Sequence, residues 1–397
     1  MTTATSPLVK TPVRPKERFL VFGAPAIEDD EINELLDSMR SGWLGTGPKT
    51  RRFEEDFKAY KGANAAIAVN SCTAALHLSL IAAGIGQGDE VITSPMTFCA
   101  TVNTVIHAGA TPVLADVDPV TMNIDPADIE RRITPRTRAI MPIHLAGRPC
   151  DMDAILDIAT RHNLVVIEDC AHAIETEYKG QKAGTIGDYG CFSFYVTKNI
   201  ITGEGGMALI RDEDAASRLR ILSLHGMDKD AWKRFSAEGY KHYDVVAPGF
   251  KYNMMDLQAA IGLQQLKRVE TYWQRRGEIW ARYNTAFADL PVTIPADPEP
   301  DTRHAYHLYT LRIDEERAGL HRDDFLNAMT AHGIGVGVHY LSVPEYTYYK
   351  QTYGWKPEDY PHAMAIGRQT VSLPISAKLT DEDVEDVISA VRLVLGA

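Results

Sequence analysis

The sequence predicts an α/β protein whose mostly parallel sheet is sandwiched by helices, followed by a smaller C-terminal α+β unit. From about residue 30 to 250, short apolar runs rich in β-branched residues alternate with amphipathic helical patterns. Apolar strands that alternate with helices are typical of a parallel sheet covered on both faces. Four prolines between Asp289 and Arg303 then interrupt the chain before strand and helix patterns resume, which predicts the second unit.

The elements of the first unit follow from their periodicity. The segments DEINELLDSMRSG and TRRFEEDFKAYKG predict amphipathic helices, the second with Phe53 and Phe57 at i,i+4. Further helices are expected in TAALHLSLIAAG, PMTFCATVNTVIHAG and MDAILDIATRHN. The predicted strands are AAIAVN, EVITSP, TPVLADVD, AIMPIHL, LVVIED and GCFSFYV.

These patterns predict four segments. Residues 1–17 form a flexible polar leader, 18–253 a large domain, 254–288 one long connecting helix and 289–397 a small C-terminal domain. Within the last segment, HLYTLRID and IGVGVHY are predicted strands, and RDDFLNAMTAHG and the stretch after Thr380 are predicted helices.

Composition narrows the class of protein. The 397 residues are 45% apolar and 24% charged, as in ordinary globular proteins, and the net charge of −12 disfavours a nucleic-acid partner. Five scattered cysteines without CxxC fit neither a disulfide framework nor a zinc site. The leader lacks an apolar signal-peptide region, and no run approaches the roughly 18 apolar residues of a membrane span. We therefore expect a cytoplasmic protein without a membrane or metal partner.

The most informative chemistry lies at Lys198 and Asp169. Lys198 follows a predicted buried strand and precedes a glycine cluster, so its amine is expected in an enclosed space that lowers its pKa. Asp169 ends another buried strand, where open α/β sheets place ligand contacts. A lysine that forms a Schiff base and an acid that pairs with the pyridinium nitrogen are what pyridoxal phosphate (PLP) requires. The alternatives are a solvated surface lysine and an aspartate that caps a helix in AHAIE.

Neighbouring residues supply the remaining parts of such a site. Asn70-Ser71-Cys72-Thr73 follows a strand and opens a helix, where a phosphate can bind, although Ser and Thr are also ordinary helix caps. Ser193 offers a further hydroxyl. Phe98 is a candidate for stacking on the pyridine ring, and His172 for a hydrogen bond to the phenolic oxygen; the alternative for both is a place in the core.

Seven motifs occur in a fixed order along the chain. They are NSCTAALHLSL, GDEVITSPMTFCATVN, GATPVLADVDP, IEDCAHA, FSFYVTKNIITGEGGM, LHG and GFKYNMMDLQAAIGL. Together they resemble the PLP-dependent sugar aminotransferases of the DegT/DnrJ/StrS family, and the resemblance runs from about Gly42 to the C-terminus. The EDCAHA and GFKYNMMD motifs look most like the UDP-4-amino-4-deoxy-L-arabinose aminotransferase branch.

The resemblance implies a type I aminotransferase fold and a homodimer with active sites shared between subunits. It implies that Lys198 is the internal aldimine and Asp169 the partner of the pyridine nitrogen, with Phe98 stacked on the ring and His172 near it. It places Cys72, Thr73 and Ser193 at the phosphate, together with Asn253 from the neighbouring subunit. Cys72 departs from the glycine or alanine of many members. The implied substrate contacts are Gly45, Thr46, Tyr195, His225, Lys251, His339 and Tyr340.

The resulting hypothesis is transamination of a nucleotide-linked keto sugar, 4-keto ahead of 3-keto, with L-glutamate as the expected amino donor. Retention of Lys198 disfavours removal of a sugar hydroxyl, because members with that activity carry histidine instead. Three alternatives stay open: an aminotransferase for a keto-cyclitol or another non-nucleotide ketone, a PLP-dependent lyase or dehydratase, and a non-catalytic regulatory protein on this fold.

Overall fold

The computed structural model describes residues 11–228 and 242–397. Seven strands form the main sheet: β1 (Ala65–Val69), β2 (Glu90–Thr93), β3 (Thr111–Leu114), β4 (Thr137–Met141), β5 (Val165–Asp169), β8 (Tyr189–Ser193) and β9 (Gly206–Ile210). Their order in the sheet is β1-β9-β8-β5-β4-β2-β3. Strands β3, β2, β4, β5 and β8 run parallel, and β9 is antiparallel to both β8 and β1. The predicted mostly parallel sheet is confirmed.

Two small sheets complete the strand content of the described residues. One contains β6 (Glu177–Tyr178), β7 (Gln181–Lys182) and β10 (Thr302–Arg303); the other pairs β11 (Tyr309–Arg312) with β12 (Thr370–Leu373). The α-helices are α1 (Asp29–Ser41), α2 (Pro48–Lys61), α3 (Cys72–Ala82), α4 (Cys99–His107), α5 (Pro126–Arg132), α6 (Met152–His162), α7 (Glu213–Ser223), α8 (Asp256–Phe287), α9 (Glu315–Ala318), α10 (Arg322–Ala331), α11 (Thr347–Tyr353), α12 (Pro361–Gln369) and α13 (Asp381–Val394).

The main sheet separates two apolar layers. Successive side chains of a strand point to opposite faces, and in β8 Cys191 packs with the cluster around α3, whereas Phe192 packs with the cluster around α2 and the start of α8. Phe57 contacts both Phe192 and Phe194 edge-on. Burial on both faces explains why the parallel strands are apolar throughout rather than alternating.

The strands of the second unit differ from the sequence prediction. The prediction of a strand at IGVGVHY is wrong. In this segment Ile334 makes an isolated bridge to Leu20, and Gly337 makes one to Ser372. A Cβ on Gly335 would lie 2.8 Å from the Leu20 carbonyl oxygen, so the chain passes against residues 20–22 too closely for a regular ladder. The partner of β11 is instead the unpredicted strand β12.

The fold places the ends of β5 and β8 side by side. Asp169, the last residue of β5, is paired with Cys191 in the parallel register, and β8 ends two residues later. The carboxyl ends of parallel strands are where α/β sheets build their sites. Within residues 11–228 and 242–397, no helix has the length and apolar character needed to cross a membrane.

Candidate active site

Lys198 lies on a tight turn five residues beyond β8. Its backbone N–H donates a 2.8 Å hydrogen bond to the Tyr195 carbonyl. The returning strand β9 starts at Gly206, where a Cβ would lie 2.6 Å from the backbone nitrogen of Cys72. Only glycine permits this approach, which holds the lysine loop against the start of α3. Burial lowers the pKa of Lys198 to about 8, opposed by the negative charges that Cys72 and Asp169 can carry.

Asp169 is buried and held at both carboxylate oxygens. Its Oδ2 accepts a 2.8 Å hydrogen bond from the Thr101 hydroxyl, and its Oδ1 accepts one from the Ala171 N–H at 3.1 Å. Burial raises the pKa of Asp169, and these hydrogen bonds and the charge of Lys198 oppose the rise. The segment AHAIE forms turns rather than a helix, so the alternative of a helix cap is wrong.

The residue before Asp169 belongs to a satisfied buried network. His144 Nε2 lies 2.9 Å from Glu168, and His144 Nδ1 accepts the Cys150 N–H. The Glu168 carboxylate also accepts the N–H groups of residues 184, 186 and 187. His144, Glu168 and Cys170 have their ligand atoms within 4.8 Å of one another, but hydrogen bonds occupy the His144 and Glu168 atoms. The network therefore anchors the strand end that carries Asp169.

The start of α3 offers a place for an anion. Ser71 is the N-cap, and its hydroxyl accepts the Ala74 N–H at 3.1 Å. Cys72 and Thr73 form the first turn, whose backbone N–H groups point out of the helix end. The Cys72 thiol donates to the Cys191 carbonyl at 3.5 Å, which turns its sulfur toward the sheet. Ser193 at the end of β8 accepts the Tyr195 N–H at 3.3 Å.

Four rings lie beside Asp169 and Lys198. Phe98, just before α4, is 58% exposed, and its ring centroid lies 6.0 Å from that of Tyr340. The Tyr340 hydroxyl lies 3.1 Å from Nε2 of the buried His172. His339 is held by Ser372 at 2.9 Å, and burial, followed by the charge of Lys198, lowers its pKa to about 4. The structure thus brings the predicted ring and lysine residues together.

Four of the other predicted substrate contacts line a cavity of about 930 Å³, which Asn70 and Ser71 at the start of α3 also line. Among the described residues that line it are Gly45, Thr46, His225, Lys251 and Asn253, whereas Lys198, Asp169 and His172 are not part of its lining. Asn253 donates to the Thr46 hydroxyl at 2.6 Å, and its own Oδ1 is a buried acceptor without a partner. Tyr195 does not line this cavity; its side chain is exposed, and its backbone bridges to Gly203.

Several residues of the site were not identified from the sequence. Thr101 lies three residues after Phe98, and its spacing from Thr97, one helical turn, was the available signal. Asn199 directly follows Lys198, and His307 comes from a distant segment with no local pattern. These residues became visible only once the fold placed them against Asp169 and His172.

The groups present fit pyridoxal phosphate. The desolvated lysine suits the aldehyde, and the buried carboxylate, already aligned by two donors, suits the ring nitrogen. The exposed aromatic ring suits the ring face, and the free helix N-terminus suits the phosphate. Gly206 leaves the space at the phosphate end that a side chain would fill.

Comparisons with known proteins agree with this fit. The model of the DegT/DnrJ/EryC1/StrS aminotransferase family matches residues 25–392. The chain is 51% identical over 387 residues to the spore coat polysaccharide biosynthesis protein SpsC of Bacillus subtilis, covering 97% of this chain and 100% of SpsC. Spr1654 of Streptococcus pneumoniae in its PMP form is 35% identical, with a TM-score of 0.89 over 95% of this chain and 99% of that one. DesI, solved in the presence of its TDP-sugar product, is 32% identical, with a TM-score of 0.86 over 97% of this chain and 94% of that one.

Proposed function

Because the chain belongs to the DegT/DnrJ/EryC1/StrS aminotransferase family and is a PLP-dependent sugar aminotransferase, we propose that it aminates a keto sugar linked to a nucleotide. We propose that the keto group is at C4 and that L-glutamate donates the amine. The observation that carries the proposal is the convergence of Lys198 and Asp169 beside the free N-terminus of α3.

Lys198 and Asp169 have different roles in the proposed proton chemistry. PLP, when bound, would supply a ring that withdraws electrons from the carbon that loses a proton. Lys198, with its pKa lowered to about 8, would hold the cofactor and, once released, would take and return the proton at the substrate carbon. Asp169, whose carboxylate plane is fixed by two donors, would keep a proton on the pyridine nitrogen. The first turn of α3 and Ser193 would hold the phosphate, and Phe98 would lie against the ring.

The large cavity supports a substrate bigger than a free sugar. Its volume of about 930 Å³ is at the upper end of ligand pockets, which suits a sugar with a nucleotide attached. Lys251 and His225 on its wall offer positive charge or hydrogen-bond donors to a diphosphate. DesI, a structural relative, has a TDP-sugar product.

The outer face of α1 supports a homodimer with shared active sites. This helix turns polar residues inward, where Glu31 pairs with Arg268 and accepts from Gln265 at 2.8 Å. Its apolar side chains point outward instead; Ile32, Leu36, Met39 and the following Trp43 and Leu44 are all exposed. Exposed apolar patches of this kind mark interaction surfaces, and a second copy is the partner proposed here. In that dimer, the cavity carrying Asn253 and Lys251 completes the partner's Lys198 site.

The cysteines support a reducing compartment. Cys72, Cys99, Cys150, Cys170 and Cys191 are all free thiols, as expected of a protein that works in the cytoplasm. We therefore propose the cytoplasm as its location.

A half-reaction screen tests the proposed substrate. The enzyme is converted to its amine-loaded form with L-glutamate, excess donor is removed, and candidate ketones are added while the visible absorbance of the aldehyde-loaded enzyme is followed. We expect nucleotide-linked 4-keto sugars to restore the absorbance and 3-keto sugars to do so more slowly. Restoration by a keto-cyclitol or a free keto sugar, with no response to any nucleotide-linked sugar, would overturn the proposal.

A further inference from the structure

A chain of buried polar side chains leads from α8 to the residue next to Lys198. Arg276 and Glu175 form a buried ion pair. The other Glu175 oxygen accepts from Asn199 Nδ2 at 2.7 Å, and the same Nδ2 donates to the Ala305 carbonyl at 3.0 Å. The Ala305 carbonyl has no proton to give, so the orientation of the Asn199 amide is fixed and its Oδ1 faces the opposite way.

That amide oxygen sets the tautomer of His307. His307 Nδ1 lies 2.9 Å from Asn199 Oδ1. An amide oxygen only accepts hydrogen bonds, so Nδ1 must carry the proton. Burial, followed by the charge of Lys198, lowers the pKa of His307 well below its usual range, so the ring is neutral and its Nε2 has no proton.

The His307 ring packs directly on His172. The two ring centroids are 4.4 Å apart, with 35° between the planes. The turn at Ala146 joins the two residues. The backbone N–H of Ala146 donates to His172 Nδ1 at 3.3 Å, and its carbonyl accepts the backbone N–H of His307 at 3.1 Å. Because Nδ1 of His172 accepts, the proton of this ring is on Nε2 and is donated to the Tyr340 oxygen.

The hydrogen bond from His172 determines which way the Tyr340 hydroxyl can donate. Its oxygen accepts from His172, so its own hydroxyl proton is left for another acceptor. Burial raises the pKa of Tyr340, which keeps the phenol protonated. The exposed ring of Phe98 lies beside Tyr340, so the Tyr340 hydroxyl is available to donate into the open space where the cofactor ring is predicted.

We propose that His307 is a positioning residue of this active site: fixed by Asn199 and the Glu175–Arg276 pair, it supports the His172 ring so that Tyr340 presents its hydroxyl proton to an oxygen of the bound sugar. The identity of that acceptor rests on the proposed function, whereas the tautomers and the ring support do not.

The variant His307→Asn separates ring support from the hydrogen bond. The asparagine amide nitrogen takes the place of Nδ1 and still donates to Asn199, but no ring remains behind His172. In the cofactor-loaded enzyme labelled with ¹⁵N-histidine, NMR is expected to show His172 as the Nε2–H form and His307 as the Nδ1–H form. In His307→Asn, the His172 ring loses the ring packed against it, so it is expected to move off the Ala146 N–H that fixes its proton and to lose its single tautomer. The control is His332→Asn, which removes another buried histidine, in the small unit, and should leave the His172 signal unchanged.

A double-mutant cycle with Tyr340→Phe tests the link to the substrate. His307→Asn is expected to lower kcat/KM for the sugar about tenfold, the effect of one lost hydrogen bond, and to have no further effect in Tyr340→Phe. The proposal is overturned if His172 keeps its tautomer in His307→Asn, or if the two kinetic effects multiply. If wild-type enzyme accepts no nucleotide-linked sugar, the proposed substrate fails, and the NMR result still decides the role of His307.

Discussion

The hydroxyl of Thr101 donates a 2.8 Å hydrogen bond to Oδ2 of Asp169. Thr97 lies four residues earlier, in the bend before α4, with its hydroxyl 2.7 Å from that of Thr101. Since the Thr101 proton goes to the carboxylate, Thr97 donates to Thr101 in turn. The first turn of α4 and the Ala171 N–H therefore fix the carboxylate plane before any cofactor is bound.

We expect Thr101→Val to weaken both the fold and cofactor binding. Valine keeps the volume but removes a donor to a buried carboxylate, which costs about 1.5–3 kcal/mol of unfolding free energy. Urea denaturation of cofactor-free protein and titration with PLP measure the two effects. The control is Thr104→Val in the same helix, whose hydroxyl donates only to the Thr101 carbonyl at 2.9 Å. Equal losses in the two variants would contradict a special role for Thr101.

Among the lysines of residues 11–228 and 242–397, Lys198 and Lys61 have a pKa lowered to about 8 by burial, and only Lys198 is expected to capture the cofactor. Lys61 donates to the Ile174 carbonyl at 2.9 Å and lies over the Phe192 ring, within the core. Borohydride reduction of loaded enzyme, followed by peptide mass spectrometry, should place the label on Lys198. Lys198→Ala should abolish transamination, whereas Lys61→Met should remain active; a label on Lys61 would reject the assignment.

The lowered pKa of Lys198 also predicts the pH dependence of cofactor capture. The neutral amine is the nucleophile, and its fraction at pH 7 is about one in ten for a pKa near 8, against about one in three thousand for an ordinary lysine. The capture rate should therefore rise tenfold per pH unit below pH 8 and level off above it. Stopped-flow absorbance at a series of pH values checks this. A rate that keeps rising to pH 10 would mean that burial does not lower the pKa.

Local patterns predicted most strands of the main sheet because these strands are short and apolar, and helices separate those from β1 to β5. The lysine and the aspartate were found for the same reason: each follows a strand of that kind. The error at IGVGVHY has a tertiary cause, since Gly335 and Gly337 let the segment pass closely against residues 20–22 and 372. Thr101 and His307 were missed because their partners, Asp169 and His172, lie 68 and 135 residues away in sequence (169 − 101 and 307 − 172), and only the fold joins them.

Breaking the buried ion pair should be far more damaging than breaking a surface pair. Arg276→Met leaves Glu175 buried without its cation, which we expect to cost about 3–5 kcal/mol of unfolding free energy. The matched change is Arg282→Met on the same helix, whose partners Asp381 and Glu385 are exposed, with an expected cost of about 0–1 kcal/mol. Urea midpoints of both variants measure the difference. Similar midpoints would show that Glu175 becomes neutral or rehydrated at little cost.

A complementation experiment tests whether subunits share their active sites. Lys198→Ala removes the proton-transferring amine, and Asn253→Asp places a negative charge in the cavity that Asn253 lines, where it would repel a phosphate bound in the partner's site. If each site takes Lys198 from one subunit and Asn253 from the other, a mixed dimer has one intact site and one doubly altered site. Unfolding and refolding the two inactive variants together at equal concentration makes half of the dimers mixed, so activity should recover to about a quarter of the wild-type value. Refolding each variant alone is the control and should give no activity. If the mixture stays inactive although size-exclusion chromatography shows dimers, both residues act within one subunit, and the outward apolar face of α1 requires another explanation.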